Sequence, residues 1–313
     1  MFQQILVPLD GSERAKNALF VAARIAQATH GSLHVIKVID PVPELGWSKI
    51  ALEQEVMSKE LNSMQNAVRV PDLTGIPVAS EILTGQPAEQ ILAAAQRYQS
   101  DIIVLCSHGY TGIDRWVMGS VAQKVAFHSP IPVFVLHKNT FLYQLLRAQK
   151  SRPARIMVPL DGSVLAESSI KPAAHLCAAL SAPESGILQF THIIQCPNNI
   201  EAGEDNSATK ALEKETAMAK AYLQEIEKRI HEGELASLHL RTASTIAHEA
   251  DVATMLEHIA RHGEHANGEG VCDAIVMATH GRSGIKRWLL GSVTERILST
   301  ARIPLLIIRP EQV

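Results

Sequence analysis

The sequence predicts an α/β protein made of two copies of one domain, each an open five-stranded parallel sheet flanked by helices. Three observations lead to this fold class. The segment ILVPLDGS, Ile5–Ser12, returns as IMVPLDGS, Ile156–Ser163. The segment SHGYTGIDRWVMGSV, which begins at Ser107, returns as THGRSGIKRWLLGSV from Thr279. Between these motifs, short apolar runs alternate with helical patterns, which is typical of right-handed βαβ units in a parallel sheet.

The predicted strands are continuously apolar rather than alternating, which favours strands covered on both faces. In the first copy they are Ile5–Leu9, Leu33–Ile39, Val78–Leu83, Ile102–Cys106 and Val133–Leu136. In the second copy they are Ile156–Leu160, Ile187–Ile194, Leu238–Thr242, Ala274–Ala278 and Leu305–Ile308. The helices predicted between the strands of the first copy are Glu13–Thr29, Ala51–Val68, Glu89–Gln99 and Ser120–His128.

The repeat also sets the predicted domain boundaries. Residues 1–138 form the first domain, residues 139–153 a linker and residues 154–313 the second domain. The linker contains FLYQLLRAQK, whose leucines suit a short packed helix. The last strand of each sheet would present an apolar edge, which proteins normally cover. We therefore expect the two domains to pack as an internal pseudo-dimer, with a homodimer of the whole chain left open.

Composition limits the classes of function. Hydrophobic residues make up 46% of the 313 residues and charged residues 19%, which is typical of a globular chain. A formal net charge of −3 and only 4% aromatic residues argue against nucleic acid as a partner. No apolar run reaches the length of about 18 residues that a membrane span needs. Met1 leads into a predicted strand without a signal-peptide pattern, so we expect a cytoplasmic protein.

Neither a metal site nor a disulfide framework is indicated. The four cysteines, at positions 106, 177, 196 and 272, show no CxxC pair and no regular spacing. His258 and His262 lie four residues apart on a predicted helix, but no acidic or cysteine partner stands at ligand spacing. We predict no metal site and interpret the two histidines as part of a solvated helix face.

Both repeated motifs fall at the carboxyl ends of predicted strands, where open α/β sheets bind their ligands. The LDGS turns place Asp10 and Asp161 after the first strand of each sheet, and the glycine loops follow the fourth strand. By themselves, Asp-Gly-Ser turns are also typical of a helix N-cap. Because they are duplicated together with the glycine loops, they predict the two sides of one crevice in each domain.

The end of each glycine loop has the features of an anion site. Ser120-Val-Ala-Gln123 and Ser292-Val-Thr-Glu295 match the capping box S/T-x-x-E/Q, so we expect each serine to cap a helix. A glycine before that helix leaves its N–H groups unshielded, and phosphate binds at such ends. Gly109 and Gly281 allow the loops to bring further N–H groups to the same point. Phosphate binding is the favoured interpretation, and a capped helix after a flexible loop is the alternative.

Motifs of nucleotide-processing enzymes are absent from the sequence. It contains no GxxxxGK[ST], no strand followed by GxGxxG, and no HxGH or HIGH string. These absences argue against a P-loop nucleoside triphosphatase and against an adenylyl transferase. We therefore do not expect an enzyme, and we predict no catalytic residues.

The sequence resembles the universal stress protein family in its tandem two-domain form. The family fingerprint is a Gly, two residues, a Gly, nine residues and then Gly-Ser or Gly-Thr. The part of the fingerprint from its second glycine to the Gly-Ser step is matched twice, from Gly109 to Ser120 and from Gly281 to Ser292. The resemblance covers essentially the whole chain. It implies a Rossmann-like sheet of the adenine nucleotide alpha hydrolase-like type and a stress-response or regulatory role.

The resemblance also implies an adenine nucleotide site. The ATP-binding members of the family hold adenine near the strand-1 Asp and the end of strand 2, and the phosphates on the glycine loop. The residues implied in the first domain are Pro8, Asp10, Val38, Gly109, Gly119, Ser120 and Val121. Those implied in the second domain are Pro159, Asp161, Ile193, Gly281, Gly291, Ser292 and Val293.

The first glycine of the fingerprint is replaced in both copies, by Cys106 and by Ala278. A side chain there narrows the approach of a nucleotide to the strand end. Alanine adds one methyl group, whereas cysteine adds a methylene and a sulfur. We therefore expect ATP, with or without Mg²⁺, in the second domain ahead of the first, with little or no turnover. The alternative is a scaffold or partner-binding protein of the same fold that binds no nucleotide.

Overall fold

The computed structural model describes residues 1–39, 46–65, 73–107, 118–137, 152–196, 206–263, 270–279, 291–300 and 302–310. The chain divides into two compact units, Met1–Ser151 and Arg152–Val313. Gly109, Gly281 and nearly all of the predicted linker lie outside the described residues. Within the described ranges, no helix combines the length and the apolar character of a membrane span.

The first unit is a five-stranded parallel sheet with helices in its connections. Its elements are β1 Gln4–Leu9, α1 Glu13–Thr29, β2 Ser32–Ile39, α2 Gly46–Gln65, β3 Val78–Thr84, α3 Pro87–Arg97, β4 Ile102–Cys106, α4 Ser120–His128 and β5 Val133–Leu136. The strands lie in the order β3-β2-β1-β4-β5, and each neighbouring pair is parallel. The chain moves outward from β1 to β3 and then crosses back to β4, so the strand order reverses between β1 and β4.

The second unit repeats this architecture. Its elements are β6 Arg155–Pro159, α5 Val164–Glu167, α6 Ile170–Ser181, β7 Ile187–Ile194, α7 Asn206–Glu232, β8 Arg241–His248, α8 Val252–His262, β9 Ala274–Ala278, α9 Ser292–Thr300 and β10 Leu305–Ile308. The strand order is β8-β7-β6-β9-β10, again with parallel pairs. The predicted fold class, parallel sheets flanked by helices, is confirmed.

The central strands supply the core of each unit. Ile5, Leu6 and Val7 are consecutive in β1, and all three are fully buried. The same holds for Ile102 and Ile103 in β4. Successive side chains of a strand point to opposite faces, so full burial of neighbours means that both faces are covered. Each such side chain stabilises the fold by about 1.5–3 kcal/mol relative to an exposed one.

The strand predicted at Leu238–Thr242 is wrong in its position. Leu238 ends a short 3₁₀ helix, Ala236–Leu238, and β8 runs from Arg241 to His248. His239 between them has a φ of 50°, a left-handed conformation that interrupts an extended chain. β8 is an outer strand whose side chains are mostly polar and partly exposed. Because β8 has no continuously apolar run, the sequence pattern does not mark most of its length.

A buried carboxylate ties the start of β6 to β9 in the second unit. Asp273, directly before β9, accepts the backbone N–H of Arg155 at 2.8 Å. Its two oxygens also accept hydrogen bonds from the guanidinium group of Arg152, from Nη1 at 3.0 Å and from Nη2 at 2.7 Å. Burial raises the pKa of the Asp273 carboxyl, and the Arg152 guanidinium opposes that rise because it favours the charged form. The two central strands are thereby joined at their amino ends as well as through the ladder.

The first unit has the matching carboxylate at Asp101, directly before β4. Its two oxygens accept the backbone N–H groups of Gln3 at 2.7 Å and of Gln4 at 3.2 Å. Asp101 is half-buried, whereas the side chain of Asp273 is fully buried. The same tie is therefore made in a wetter environment, where each charge-assisted bond contributes less.

We expect Asp273→Ala to lower the free energy of unfolding by about 3 kcal/mol, because it removes the carboxylate from a buried, charge-assisted set of bonds. Asp101→Ala is the matched variant in the first unit and should cost about 1–2 kcal/mol. Urea unfolding followed by circular dichroism measures both. Equal losses for the two variants would contradict the argument from burial.

Candidate functional site

The candidate site lies where the strand order reverses. In the first unit, β1 pairs with β4 through Ile5–Ile102 and Leu6–Ile103, so both strands end at the same edge of the sheet. In the second unit, β6 and β9 pair through Ile156–Ala274 and Met157–Ile275. Open α/β sheets bind ligands in the crevice outside the carboxyl ends of such strands. Each unit therefore has one switch point at which such a crevice is expected.

The Asp-Gly-Ser turn forms the first wall of the crevice. In the first unit, Asp10 Oδ1 accepts the backbone N–H of Ser12 at 3.0 Å, and Ser12 Oγ accepts that of Ala15 at 3.1 Å. Gly11 has a φ of 84°, a left-handed conformation that other residues rarely adopt. Ser12 is the N-cap of α1. The helix-capping interpretation of this turn is therefore confirmed, and it brings the Asp10 carboxylate to the strand end.

The turn of the second unit is more tightly bonded. Asp161 Oδ1 accepts the backbone N–H of Ser163 at 3.0 Å and also its hydroxyl at 2.6 Å. Ser163 Oγ in turn accepts the N–H of Ala166 at 3.1 Å, as the N-cap of α5. Asp161 is half-buried, whereas Asp10 is exposed. Of the two carboxylates, that of Asp161 is the more firmly oriented.

The base of the glycine loop forms the second wall. In the first unit, Ser107 continues the ladder beyond β4, since its N–H donates to Leu136 O at 2.7 Å. The carbonyl of Ser107 then accepts the N–H of Gly119 at 2.7 Å, which joins the two ends of the loop. In the second unit, Gly291 donates to Thr279 O at 2.6 Å and Thr279 to Ile308 O at 2.8 Å. The start of the following helix is thereby held at the strand end.

Helix α4 begins differently from the capping-box prediction, which is wrong for Ser120. The N-cap is Gly119, with a φ of −62° and a ψ of 144°, and no side chain caps the helix. The carbonyl of Gly119 accepts the first helical bond, from Gln123 N–H at 3.0 Å, so Ser120 is already the first helical residue. The same bond runs from Glu295 N–H to Gly291 O at 2.8 Å in the second unit.

This shift leaves the first turn of α4 open. In the described part of the chain, the N–H groups of Ser120, Val121 and Ala122 have no acceptor. Ser120 is exposed and Val121 is half-buried. The first N–H groups of a helix carry a partial positive charge, so an unblocked first turn attracts an anion. An uncapped helix start at a strand end is the arrangement that binds phosphate in many α/β proteins.

The structure gathers most of the residues implied by the resemblance at these edges. In the first unit, Pro8 lies in β1, Val38 in β2 and Gly119 at the start of α4. The others at the edges are Asp10, Ser120 and Val121 in the first unit and Pro159, Asp161, Ile193, Gly291, Ser292 and Val293 in the second. Gly109 and Gly281 lie outside the described residues.

The replaced glycines end the fourth strand of each sheet. Cys106 is half-buried and pairs in register with Leu136. Ala278 is buried, pairs with Ile308, and its carbonyl accepts the hydroxyl of Thr294 at 3.0 Å. Thr294 lies in the first turn of α9, so this bond adds a second link between strand and helix that Ala122 cannot make in the first unit.

Side chains near the crevice that the sequence did not single out come from the second strand and the helix after it. In the first unit, Lys37 of β2 pairs with Glu53 of α2. In the second unit, His192 of β7 contacts Tyr222 of α7, edge to face. Lys37 and His192 directly precede the implied Val38 and Ile193 in the sequence. That neighbouring position is the signal that could have identified them. Glu53 and Tyr222 lie on long helices without a motif, and no sequence signal marks them.

An open parallel sheet whose strand order reverses at the centre, with helices in its connections, defines a doubly wound α/β protein. The model of the Universal stress protein family matches residues 1–137 and again residues 154–309. The chain therefore belongs to the universal stress protein family, with two such domains in tandem.

Individual relatives agree with this assignment. A universal stress protein of Thermus aquaticus is 34% identical over 138 residues, which cover 44% of this chain and 99% of the relative. A universal stress protein of Mycolicibacterium smegmatis is 23% identical over 320 residues, which cover 98% of this chain and 97% of the relative. A crystal structure of a universal stress protein from Archaeoglobus fulgidus shares the fold, with a TM-score of 0.62, 17% identity and 99% of both chains covered.

The cap at the first turn gives a direct test. Ser12→Ala removes the acceptor for the Ala15 N–H, and we expect it to lower the free energy of unfolding by about 1 kcal/mol. Ser12→Asn keeps a side-chain acceptor and should stay within about 0.3 kcal/mol of the unsubstituted protein. Urea unfolding compares the two. The capping role would be refuted if both variants were equally stable.

Proposed function

We propose that the chain is a stress-response protein that binds an adenine nucleotide, ATP in the first place, with the second unit as the main site and without turnover. The observation that carries the proposal is the uncapped first turn of α4 at the switch point of its sheet, together with the same glycine start at α9. A polyphosphate is the anion that best matches several N–H groups converging beside a glycine loop. Family membership supports the same ligand class.

The phosphates are assigned to the helix start. The first-turn amides act together with the helix dipole, which places about half a positive elementary charge at that end. The backbone bond from Gly291 to Thr279 keeps these amides at the strand end before any ligand arrives. Less ordering is then required on binding, which favours affinity.

The remaining parts of the nucleotide are assigned to the first wall. The Asp161 carboxylate, oriented by Ser163, is an acceptor for ribose hydroxyl groups or a ligand for a Mg²⁺ ion carried by the phosphates. Such an ion would neutralise phosphate charge beside the carboxylate. Ile193, at the end of β7, lies where the resemblance assigns the adenine.

Binding without turnover follows from the motifs. The sequence has no GxxxxGK[ST] pattern and no strand followed by GxGxxG. A phosphate release rate of about 1 per second or faster, the low end of ordinary enzyme turnover, would overturn this part of the proposal. The cytoplasmic location, the pseudo-dimer and the homodimer stay predictions.

The second candidate function is a scaffold that binds a partner but no nucleotide. Cys106 and Ala278 favour it, since both place a side chain where the fingerprint has its first glycine. Cys106 has the larger side chain, so this alternative has more weight for the first unit than for the second.

The two functions differ in their response to ATP. ATP in hundredfold excess over its Kd should stabilise the protein by about 2.7 kcal/mol, measured as a rise in Tm. Gly291→Val adds a branched side chain over the first-turn amides of α9 and should abolish that rise. Gly291→Ala, with a single methyl group, should retain part of it.

Three further measurements are needed to interpret the loss of the ATP response. The Gly291→Val protein must keep its circular dichroism spectrum and its ligand-free Tm within a few degrees, so that loss of binding is not loss of fold. Gly119→Val makes the same change in the first unit and reports on its share of the binding. No response of the unsubstituted protein to adenine nucleotides at millimolar concentration would establish the scaffold function instead.

A further inference from the structure

One position of the second strand faces the first-wall turn and differs between the units. In the first unit this is Lys37, which pairs in register with Leu9, the residue before Asp10. In the second unit the ladder pairs Pro159 with Thr191, and His192 follows. His192 is therefore the counterpart of Lys37, beside the turn that carries Asp161.

In the first unit an ion pair covers this place. Lys37 Nζ lies 2.5 Å from Glu53 Oε2, and the two side chains are 21% and 26% exposed. A Cβ placed on Gly11 would lie 3.5 Å from the same Nζ, so the ammonium group sits directly over the Asp-Gly-Ser turn. A ligand that entered between β2 and the turn would have to cover this pair.

In the second unit two rings occupy the corresponding place. The rings of His192 and Tyr222 are 6.3 Å apart between centroids and meet edge to face, at 69°. Tyr222 Oη donates to Glu167 Oε1 at 3.1 Å, and Arg229 pairs with the other oxygen of Glu167 at 2.8 Å. This chain of bonds ties the Tyr222 side chain of α7 to Glu167, the last residue of the short helix α5 that follows the turn.

Electrostatics link Tyr222 to the turn itself. Burial raises the pKa of the Tyr222 phenol, and the nearby carboxylates of Glu167 and then Asp161 raise it further. The phenol is therefore neutral at physiological pH. Tyr222 and His192 are both half-buried, so each retains surface for a ligand.

The two places have opposite preferences for a planar base. Stacking of a base on an aromatic side chain contributes about 1–3 kcal/mol. Covering an ion pair that still has water around it removes hydration that a neutral base cannot replace. A base is thus favoured in the second unit and disfavoured in the first, although both units offer the same amides to phosphate.

We propose that Tyr222 and His192 form the base-stacking part of the second site, and that the Lys37–Glu53 ion pair excludes a base from the first. This inference rests on the proposed nucleotide binding. It makes Tyr222 and His192 specificity-determining residues that no motif assigns, and it makes the chain a protein with one adenine site in spite of its two glycine loops.

The test compares ATP with inorganic tripolyphosphate by isothermal titration calorimetry. We expect one ATP per chain. Tyr222→Leu should weaken ATP about tenfold or more while leaving tripolyphosphate unchanged, because it removes a ring and no phosphate ligand. Tyr222→Phe keeps the ring and should stay within about threefold for both. Tyr98→Leu removes the ring that stacks on His34 in the first unit; it is the matched control and should leave the affinity for ATP unchanged.

The outcomes separate this inference from the proposed function. If the unsubstituted protein binds neither ATP nor tripolyphosphate, both fall. If two ATP molecules bind per chain with similar affinity, or if Tyr222→Leu weakens ATP and tripolyphosphate equally, the base-stacking assignment falls while nucleotide binding stands. An unchanged ATP affinity in Tyr222→Leu has the same consequence. Retention of tripolyphosphate binding by that variant shows that its fold is intact.

Discussion

The hydrogen bond between the two ends of each glycine loop is the constraint on which the candidate site depends. Gly119 N–H donates to Ser107 O, and Gly291 N–H to Thr279 O. Since Ser107 and Thr279 are themselves bonded to the last strand of their sheets, the loop base is an extension of the sheet. The helix that follows cannot start anywhere but at the strand end. Its first amides are therefore presented to the crevice by the backbone rather than by any side chain.

The position of the N-cap follows from the same bond. Ser120-x-x-Gln fits a capping box by spacing alone, but the spacing says nothing about which carbonyl accepts the first helical bond. Gly119, held by Ser107, takes that place, and a glycine has no side chain with which to cap. A self-capped helix would have satisfied one of its own amides. The glycine start leaves the first amides of α4 uncapped, which makes a less stable helix end and one whose partial positive charge attracts anions.

The fold could be predicted closely because its signal is local. The run Ile102–Cys106 is short, apolar and flanked by polar residues. Such a run is enough to predict a strand that is covered on both faces. β8 was misplaced because an outer strand is only partly buried and lacks that run. The contact between Tyr222 and His192 could not be predicted, since it depends on how a 27-residue helix packs against a neighbouring strand. Helical spacing identifies the face of such a helix, not the residue that reaches the crevice.

The duplicated domains preserve what the sheet needs and differ in what the ligand would meet. Asp101 and Asp273 both tie the central strands, and both loop bases are closed by the same backbone bond. In each of these bonds a backbone N–H group is the donor. Loss of its acceptor would therefore lower the stability of any domain of this fold. Lys37 and His192 occupy the same half-buried position near the end of the second strand, and this position takes no part in those bonds. A difference in side chain between the two copies costs least there, because this position can change its chemistry without altering the strand register that positions the first-turn amides.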